Sequence, residues 1–302
     1  MSNFDQLKQR YSNPQKTFLL GVGAQKAGTT WLYNYFLDRK DSRMGYTKEY
    51  HVFDTLTLDN FDYFYKRAIA DLAAIQTNKH SAQKQENNQR YLSFLDDPAE
   101  YYDYFAQLLK KSNATITGDF SPSYSALSAA TLAEIKSQFS HRGIRVVPIF
   151  LMREPVDRLW SMVRMSNRNS DIVLDRKQEL EQMYRRCGTK HEQRRSNYHH
   201  TYANLSSVFG EDKFVSFYET IFQVSEIQRL CRQLKIKYLQ PNFDDRVNVS
   251  ASPHSFSERD VSGLRAHYQV QYDFAEKTFG KEFIDTIWHQ SYRDKFKLEQ
   301  CS

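Results

Sequence analysis

Phe18-Leu19-Leu20-Gly21-Val22-Gly23-Ala24-Gln25-Lys26-Ala27-Gly28-Thr29-Thr30-Trp31-Leu32-Tyr33-Asn34-Tyr35-Phe36-Leu37 decides how the rest of the chain is read. Its first six residues form a short apolar run with glycines at 21 and 23, the pattern of a buried strand. At the other end, Trp31, Leu32, Tyr35 and Phe36 recur at the spacing of one helical face. Between strand and helix lies a loop with Gly23, Gly28, Thr29 and Thr30. Such a loop turns backbone N–H groups inward at a helix N-terminus, where the peptide dipoles also favour an anion. The stretch therefore reads as a phosphate cradle.

A triphosphate-binding loop of the form G-x-x-x-x-G-K-[ST] places a lysine directly after its second glycine. Gly23 and Gly28 keep the glycine spacing and Thr30 stands at the Ser/Thr position, but Thr29 occupies the place of the lysine. The loop's cation, Lys26, precedes Gly28 and would approach an anion from the crown of the loop. This argues against ATP or GTP hydrolysis. The run Gln25-Lys26-Ala27-Gly28-Thr29-Thr30-Trp31-Leu32 instead resembles the phosphosulfate loop of sulfotransferases, which bind 3′-phosphoadenosine 5′-phosphosulfate.

The 302 residues suffice for one large domain or two small ones, and one α/β domain with insertions is the simpler reading. With only 10 glycines in the chain, those at 21, 23 and 28 stand out. The net charge of +6 suits an anionic cofactor and an anionic acceptor; nucleic-acid binding is another reading of the same charge. Cys187, Cys231 and Cys301 show neither paired nor metal-like spacing and read as free thiols in a reducing compartment. Residues 1–14 lack the apolar core of a signal peptide, and no stretch approaches 18 apolar residues. The expectation is a cytoplasmic protein without a membrane span.

Tyr46-Thr47-Lys48-Glu49-Tyr50-His51-Val52-Phe53-Asp54 places a lysine, a carboxylate and an imidazole within four residues. Group transfer to a hydroxyl needs a general base, and both Glu49 and His51 qualify. Taken as extended, the segment puts residues 49, 51 and 53 on one face. It resembles the Lys-Glu-x-His-x-Phe-Asp region of glycan sulfotransferases, which implies Glu49 as the base and His51 as its neighbour. Small-molecule sulfotransferases use a histidine, so His51 stays a rival.

Residues 60–111 carry helical spacing in Phe61, Phe64, Tyr65, Ala68 and Leu72, and again in Tyr101, Tyr104, Phe105, Leu108 and Leu109. The Gln-, Asn- and Lys-rich stretch 76–90 between them reads as an exposed, mobile loop. Asp97-Pro98 reads as a helix start. Thr115 to Asp119 reads as a strand running into Phe120-Ser121-Pro122-Ser123-Tyr124, similar to the second substrate segment of the same families. Asp119 stands where many members have glutamate, and Phe120 where heparan-type members have lysine. Asp119 also reads simply as a turn or cap residue.

Arg145 to Met152 is a second apolar strand, awkward only at Pro148, which has no N–H. Arg153-x-Pro155-x-x-Arg158-x-x-Ser161 follows, and matches the 3′-phosphate motif of sulfotransferases. An arginine at the strand end and a serine two turns into the helix can converge on one phosphate. Arg158 reads as a brace for the loop. The basic stretch 164–195 is either a solvated face or a rim for anions. Lys213 to Glu219 reads as a late strand and Ile221 to Leu234 as a helix. Arg246-Val247-Asn248-Val249-Ser250 resembles a segment that precedes the C-terminal helices in bacterial members.

The fold expected is α/β and P-loop-like, with a central, mostly parallel sheet flanked by helices on both faces. Residues 1–302 would form one sulfotransferase domain, with 1–16 as an N-terminal extension. The resemblance covers residues 18–162 well and the rest loosely. It implies transfer of a sulfuryl group from 3′-phosphoadenosine 5′-phosphosulfate to the hydroxyl of a glycan or another alcohol. Gln25, Lys26, Ala27, Gly28, Thr29, Thr30 and Trp31 would hold the 5′ side of the donor, and Arg153 and Ser161 its 3′-phosphate. Lys26 would assist the leaving group. The scheme needs no metal and no nucleic-acid partner. A nucleotide kinase or triphosphatase, or a non-catalytic nucleic-acid-binding protein, is the alternative.

Overall fold

The computed structural model describes residues 15–74, 81–245 and 254–290. Its frame is a four-stranded sheet of β1 (Thr17–Gly23), β2 (Ile116–Asp119), β3 (Arg145–Met152) and β4 (Phe214–Phe217). The strand order is β2-β1-β3-β4, and every pairing is parallel. All of β1 is buried, which is why it reads as an uninterrupted apolar run rather than an alternating one. Phe18 stacks on Phe139, with ring centroids 4.0 Å apart, and meets Phe105 edge-on at 4.8 Å. Pro148 pairs in register with Leu20, and the ladder to β4 begins only at Ile149.

Helices flank this sheet. After β1 come α1 (Thr29–Leu37), α2 (Val52–Thr57), α3 (Tyr63–Ala74), α4 (Ser81–Asp96) and α5 (Pro98–Lys110). Asp97 caps α5 by accepting the Ala99 N–H, with Pro98 in the first turn as expected. The chain crosses from β2 to β3 through α6 (Ala129–His141), and from β3 to β4 through α7 (Pro155–Asn169), α8 (Arg176–Cys187), α9 (Lys190–Ser196) and α10 (Tyr198–Phe209). Then follow α11 (Val224–Leu234), α12 (Glu258–His267), α13 (Gln269–Phe279) and α14 (Lys281–Ile284).

Two expectations are corrected here. Residues 81–90 are not a loop but the first part of α4. Gln and Lys are competent helix formers, and the helix is fixed at its far end by Tyr91 and Phe94, which are buried in the core. The segment around His51 is not extended throughout. His51 is left-handed (φ 52°) and caps α2, so Phe53 and Asp54 are helical. Residues 76–80, the 246–250 segment and nearly all of the expected N-terminal extension lie outside the described residues.

The connection from β1 leads to β2 on one side of it, whereas β3 lies on the other. The carboxyl ends of β1 and β3 therefore form a topological switch point, where open α/β sheets bind ligands. Both phosphate motifs read from the sequence start there. Among the described residues, no helix is long and apolar enough to cross a membrane.

Candidate active site

The loop leaving β1 is tied down at its base, where the Ala24 N–H donates to the Leu151 carbonyl of β3 at 2.6 Å. Gly28 caps α1 in the left-handed conformation (φ 87°), and a Cβ there would press on Tyr218 at 3.3 Å. Any other residue would be strained at that point. Lys26 also has a positive φ of 69°. Its side chain crosses to α7, with Nζ 3.6 Å from Met165 Sδ.

Arg153, the first residue past β3, reaches back to this loop. Its Nη1 donates to the Lys26 carbonyl at 3.1 Å, and its guanidinium lies 4.2 Å from the centre of the Tyr218 ring. The Tyr198 hydroxyl donates to the Arg153 carbonyl at 2.9 Å. Next along, half-buried Glu219 accepts the Glu154 N–H at 3.0 Å and the Trp288 indole N–H at 3.2 Å, and desolvation pushes its carboxyl up to about 7. Arg153 Nε, by contrast, is buried without a hydrogen-bond partner. A buried donor left in that state is costly unless a ligand satisfies it.

The two strand ends enclose a cavity of about 390 Å³, lined by Gln25, Lys26, Gly28, Thr29, Thr30, Trp31, Arg153 and Ser161. Of the residues expected to hold a nucleotide, only Ala27 is not on its wall; it is buried beneath the loop. Trp31 packs edge-on against Phe222 and stacks on Phe243. Sequence reading did not single out Met165 and Tyr218, which line the same cavity; Lys48, read only as a neighbour of Glu49 and His51, and Arg168, read only within the basic stretch, line it too. A partial signal existed, because Ser161, Met165 and Arg168 stand at i, i+4 and i+7 on α7 and so share one face. Arg195, from the basic stretch, bonds the Gln25 side chain. At least part of that stretch therefore turns inward.

Burial and the charges of Arg168, Arg153 and Arg164 depress the Lys26 ammonium to about 8. This is a crowd of cations in a partly desolvated space, the electrostatic signature of an anion site.

Glu49 and Lys48 line the same cavity. Glu49 Oε1 accepts from Lys48 Nζ at 2.5 Å, and Glu49 Oε2 lies 3.1 Å from His51 Nε2. His51 Nδ1 lies 2.7 Å from Asp54 Oδ2, and the Ser123 hydroxyl donates to the same oxygen. The left-handed turn at His51 places its ring between the two carboxylates. Burial would lower the imidazole, but the bonds to Asp54 and Glu49 prevail and raise it to about 9. Likewise burial would raise Glu49, but His51 and Lys48 prevail and hold it down to about 2.

Asp119 is fully buried at the end of β2, where it accepts from the Tyr101 and Tyr124 hydroxyls at 2.9 and 2.8 Å and from Ser121 Oγ at 2.6 Å. Ser121 Oγ in turn accepts the Tyr50 and His51 N–H groups at 3.0 and 3.1 Å. Asp119 anchors the segment that carries Glu49 and His51. Arg158 is completely buried, paired with Glu192 at 2.7 Å and bonded to Ser196, so it braces α7 against α9 and does not reach the cavity.

No family model matches the chain, and no curated protein matches it. Among solved structures, a sulfotransferase from Alicyclobacillus acidocaldarius superposes with a TM-score of 0.53 at 16% identity, over 87% of this chain and 95% of that one. The sulfotransferase domain from the curacin biosynthetic pathway gives 0.45 at 14% identity, over 83% and 97%. That from the Synechococcus PCC 7002 olefin synthase gives 0.43 at 13%, over 84% and 93%. The first of these likenesses identifies the architecture: the chain has the sulfotransferase fold.

Proposed function

We propose that the protein is a sulfotransferase using 3′-phosphoadenosine 5′-phosphosulfate, and that Glu49 is its general base. One observation carries this reading. Lys26, Arg153 and Ser161, from two strand-helix units, line one cavity together with the ionised carboxylate of Glu49. The residues fit such a donor: Arg153 Nε is a buried donor without a partner, and Lys26 sits among cations that an anion would neutralise.

When bound, the donor supplies the sulfuryl group and a phosphate leaving group. The N–H groups of residues 28–30, at the N-terminus of α1, would hold the 5′-phosphate, aided by the Thr29 and Thr30 hydroxyls; the Ala27 N–H is already given to the Ala24 carbonyl. Arg153 and Ser161 hold the 3′-phosphate. Lys26 would stabilise the charge that gathers on the leaving phosphate oxygen as the sulfur–oxygen bond breaks. Glu49 takes the proton of the acceptor hydroxyl as its oxygen attacks sulfur. Lys48 lines the same cavity and pairs with Glu49. Drawn toward an anion, it releases Glu49 and raises the basicity of that carboxylate. His51, held by Asp54, fixes the Glu49 carboxylate in place. Positioning and charge stabilisation provide most of the rate, as in phosphoryl transfer.

Parallel calorimetric titrations with adenosine 3′,5′-bisphosphate, ATP with magnesium, and a single-stranded oligonucleotide test the reading. Tight binding of the bisphosphate, with the other two weak, is expected. Preference for ATP with magnesium would point to a kinase or triphosphatase, and preference for the oligonucleotide to a nucleic-acid-binding protein.

A further inference from the structure

Glu49 belongs to two cavities. Besides the phosphate cavity it lines a second one, of about 360 Å³, on its other side. That space is walled by α3 and α4 and shares with the first only Glu49 among its lining residues. We infer that this second cavity is the acceptor subsite, and that it takes a polyhydroxylated, sugar-like acceptor. The inference rests on the transferase reading above and deepens it.

Placement gives the first argument. A base must lie within hydrogen-bond reach of the hydroxyl it deprotonates. In-line displacement puts that hydroxyl on the side of sulfur opposite the leaving phosphate. A carboxylate that borders both spaces meets both requirements. His51 lines the second cavity and not the first. It therefore backs Glu49 from the acceptor side, with its ring stacked on Phe64 at 3.6 Å and 11°.

The chemistry of the walls gives the second argument. Phe64, Tyr46 and Tyr91 supply aromatic surface, against which the C–H face of a sugar ring can pack. Arg67 and Asp71 from α3, and Lys84 and Asn87 from α4, supply charged and amide groups that hydrogen-bond hydroxyls. Lys84 pairs with Asp71 at 2.9 Å across the two helices. An apolar alcohol in this space would take water from the Arg67 guanidinium and the Asn87 amide and give them no partner in return, which disfavours binding. A ligand rich in hydroxyls replaces the lost water for both.

The test uses the full chain with sulfur-labelled donor. Lactose, cellobiose and maltotriose are compared as acceptors with 2-naphthol and 1-dodecanol. Asn87→Ala and Arg67→Ala are then assayed on the best sugar, with adenosine 3′,5′-bisphosphate affinity and melting temperature measured on each variant. The expected result is labelled sugar with the wild type. In both variants the acceptor KM should rise about tenfold or more, while bisphosphate affinity and melting temperature stay unchanged. Transfer to naphthol or dodecanol in preference to every sugar would overturn the acceptor assignment. So would a sugar KM unmoved by both variants, or bisphosphate binding with no labelled sugar. Loss of bisphosphate binding in the wild type would instead overturn the transferase reading, and the acceptor assignment with it.

Discussion

His51 Nε2 lies 3.1 Å from Glu49 Oε2, while the other nitrogen of the same ring lies 2.7 Å from buried Asp54. The two carboxylates hold the imidazole charged, and the charged imidazole holds Glu49 ionised. Of the two candidate bases, this arrangement favours Glu49 in the proposed reaction, because a protonated histidine has no lone pair to offer.

Glu49→Gln keeps the shape of the side chain and removes the base. Turnover is expected to fall by roughly 10²–10⁴, with bisphosphate affinity retained. His51→Asn should cost less. The pH profile adds a second check: wild-type turnover should not fall as pH drops through about 6.5, the region where an unperturbed histidine base would be lost. An active Glu49→Gln beside a dead His51→Asn with intact nucleotide binding would reverse the assignment.

The same pair makes stability depend on pH. His51 is raised in the folded protein to about 9. Its contribution is therefore fully present below about 6.5 and is lost as pH rises through about 9. Glu49 is lowered to about 2, so its contribution is present above about 4.5 and is lost as pH falls through about 2. Urea denaturation of wild type and His51→Asn should show a stability gap at pH 6 that narrows by pH 10. A gap that widens over this range would contradict the charged-imidazole arrangement.

Lys26 is depressed to about 8 by burial and by its arginine neighbours. A bound polyanion offsets those charges and restores the proton. At pH 8, adenosine 3′,5′-bisphosphate should therefore bind with uptake of about half a proton, since a group at its midpoint is half-occupied. Calorimetry in buffers of differing ionisation enthalpy measures this, and Lys26→Ala should abolish the uptake. Turnover in that variant should drop by roughly 10²–10³, the usual effect of removing one electrostatic stabiliser.

What the sequence made legible was local. The strand, loop and helix of residues 18–37 each carry their signal within a few residues, and so does Arg153 with Ser161 on the next strand–helix unit. The α/β class and the parallel sheet followed from these two units. The rest depended on contacts between distant parts of the chain. Ser123 reaches Asp54 across 69 positions, and Arg195 reaches Gln25 across 170, and nothing in their neighbours announces either meeting. Residues 81–90 were hidden for another reason. Their polar composition suits either a loop or a solvated helix, and only the burial of Tyr91 and Phe94 decides between them. His51 misled because a left-handed residue leaves no periodic trace: a single φ of 52° turned an expected strand face into a helix cap.

The most direct test of the account compares adenosine 3′,5′-bisphosphate with AMP by calorimetry, on wild type and on Arg153→Ala. The two nucleotides differ only in the 3′-phosphate. Arg153 borders the cavity with a buried Nε that has no hydrogen-bond partner, and Ser161 lies on the same wall. Charge-assisted bonds of about 1.5–3 kcal/mol each should make the bisphosphate bind the wild type at least about tenfold more tightly. Arg153→Ala should erase most of that preference while leaving AMP affinity nearly unchanged. Equal affinity of the wild type for the two nucleotides would contradict the account.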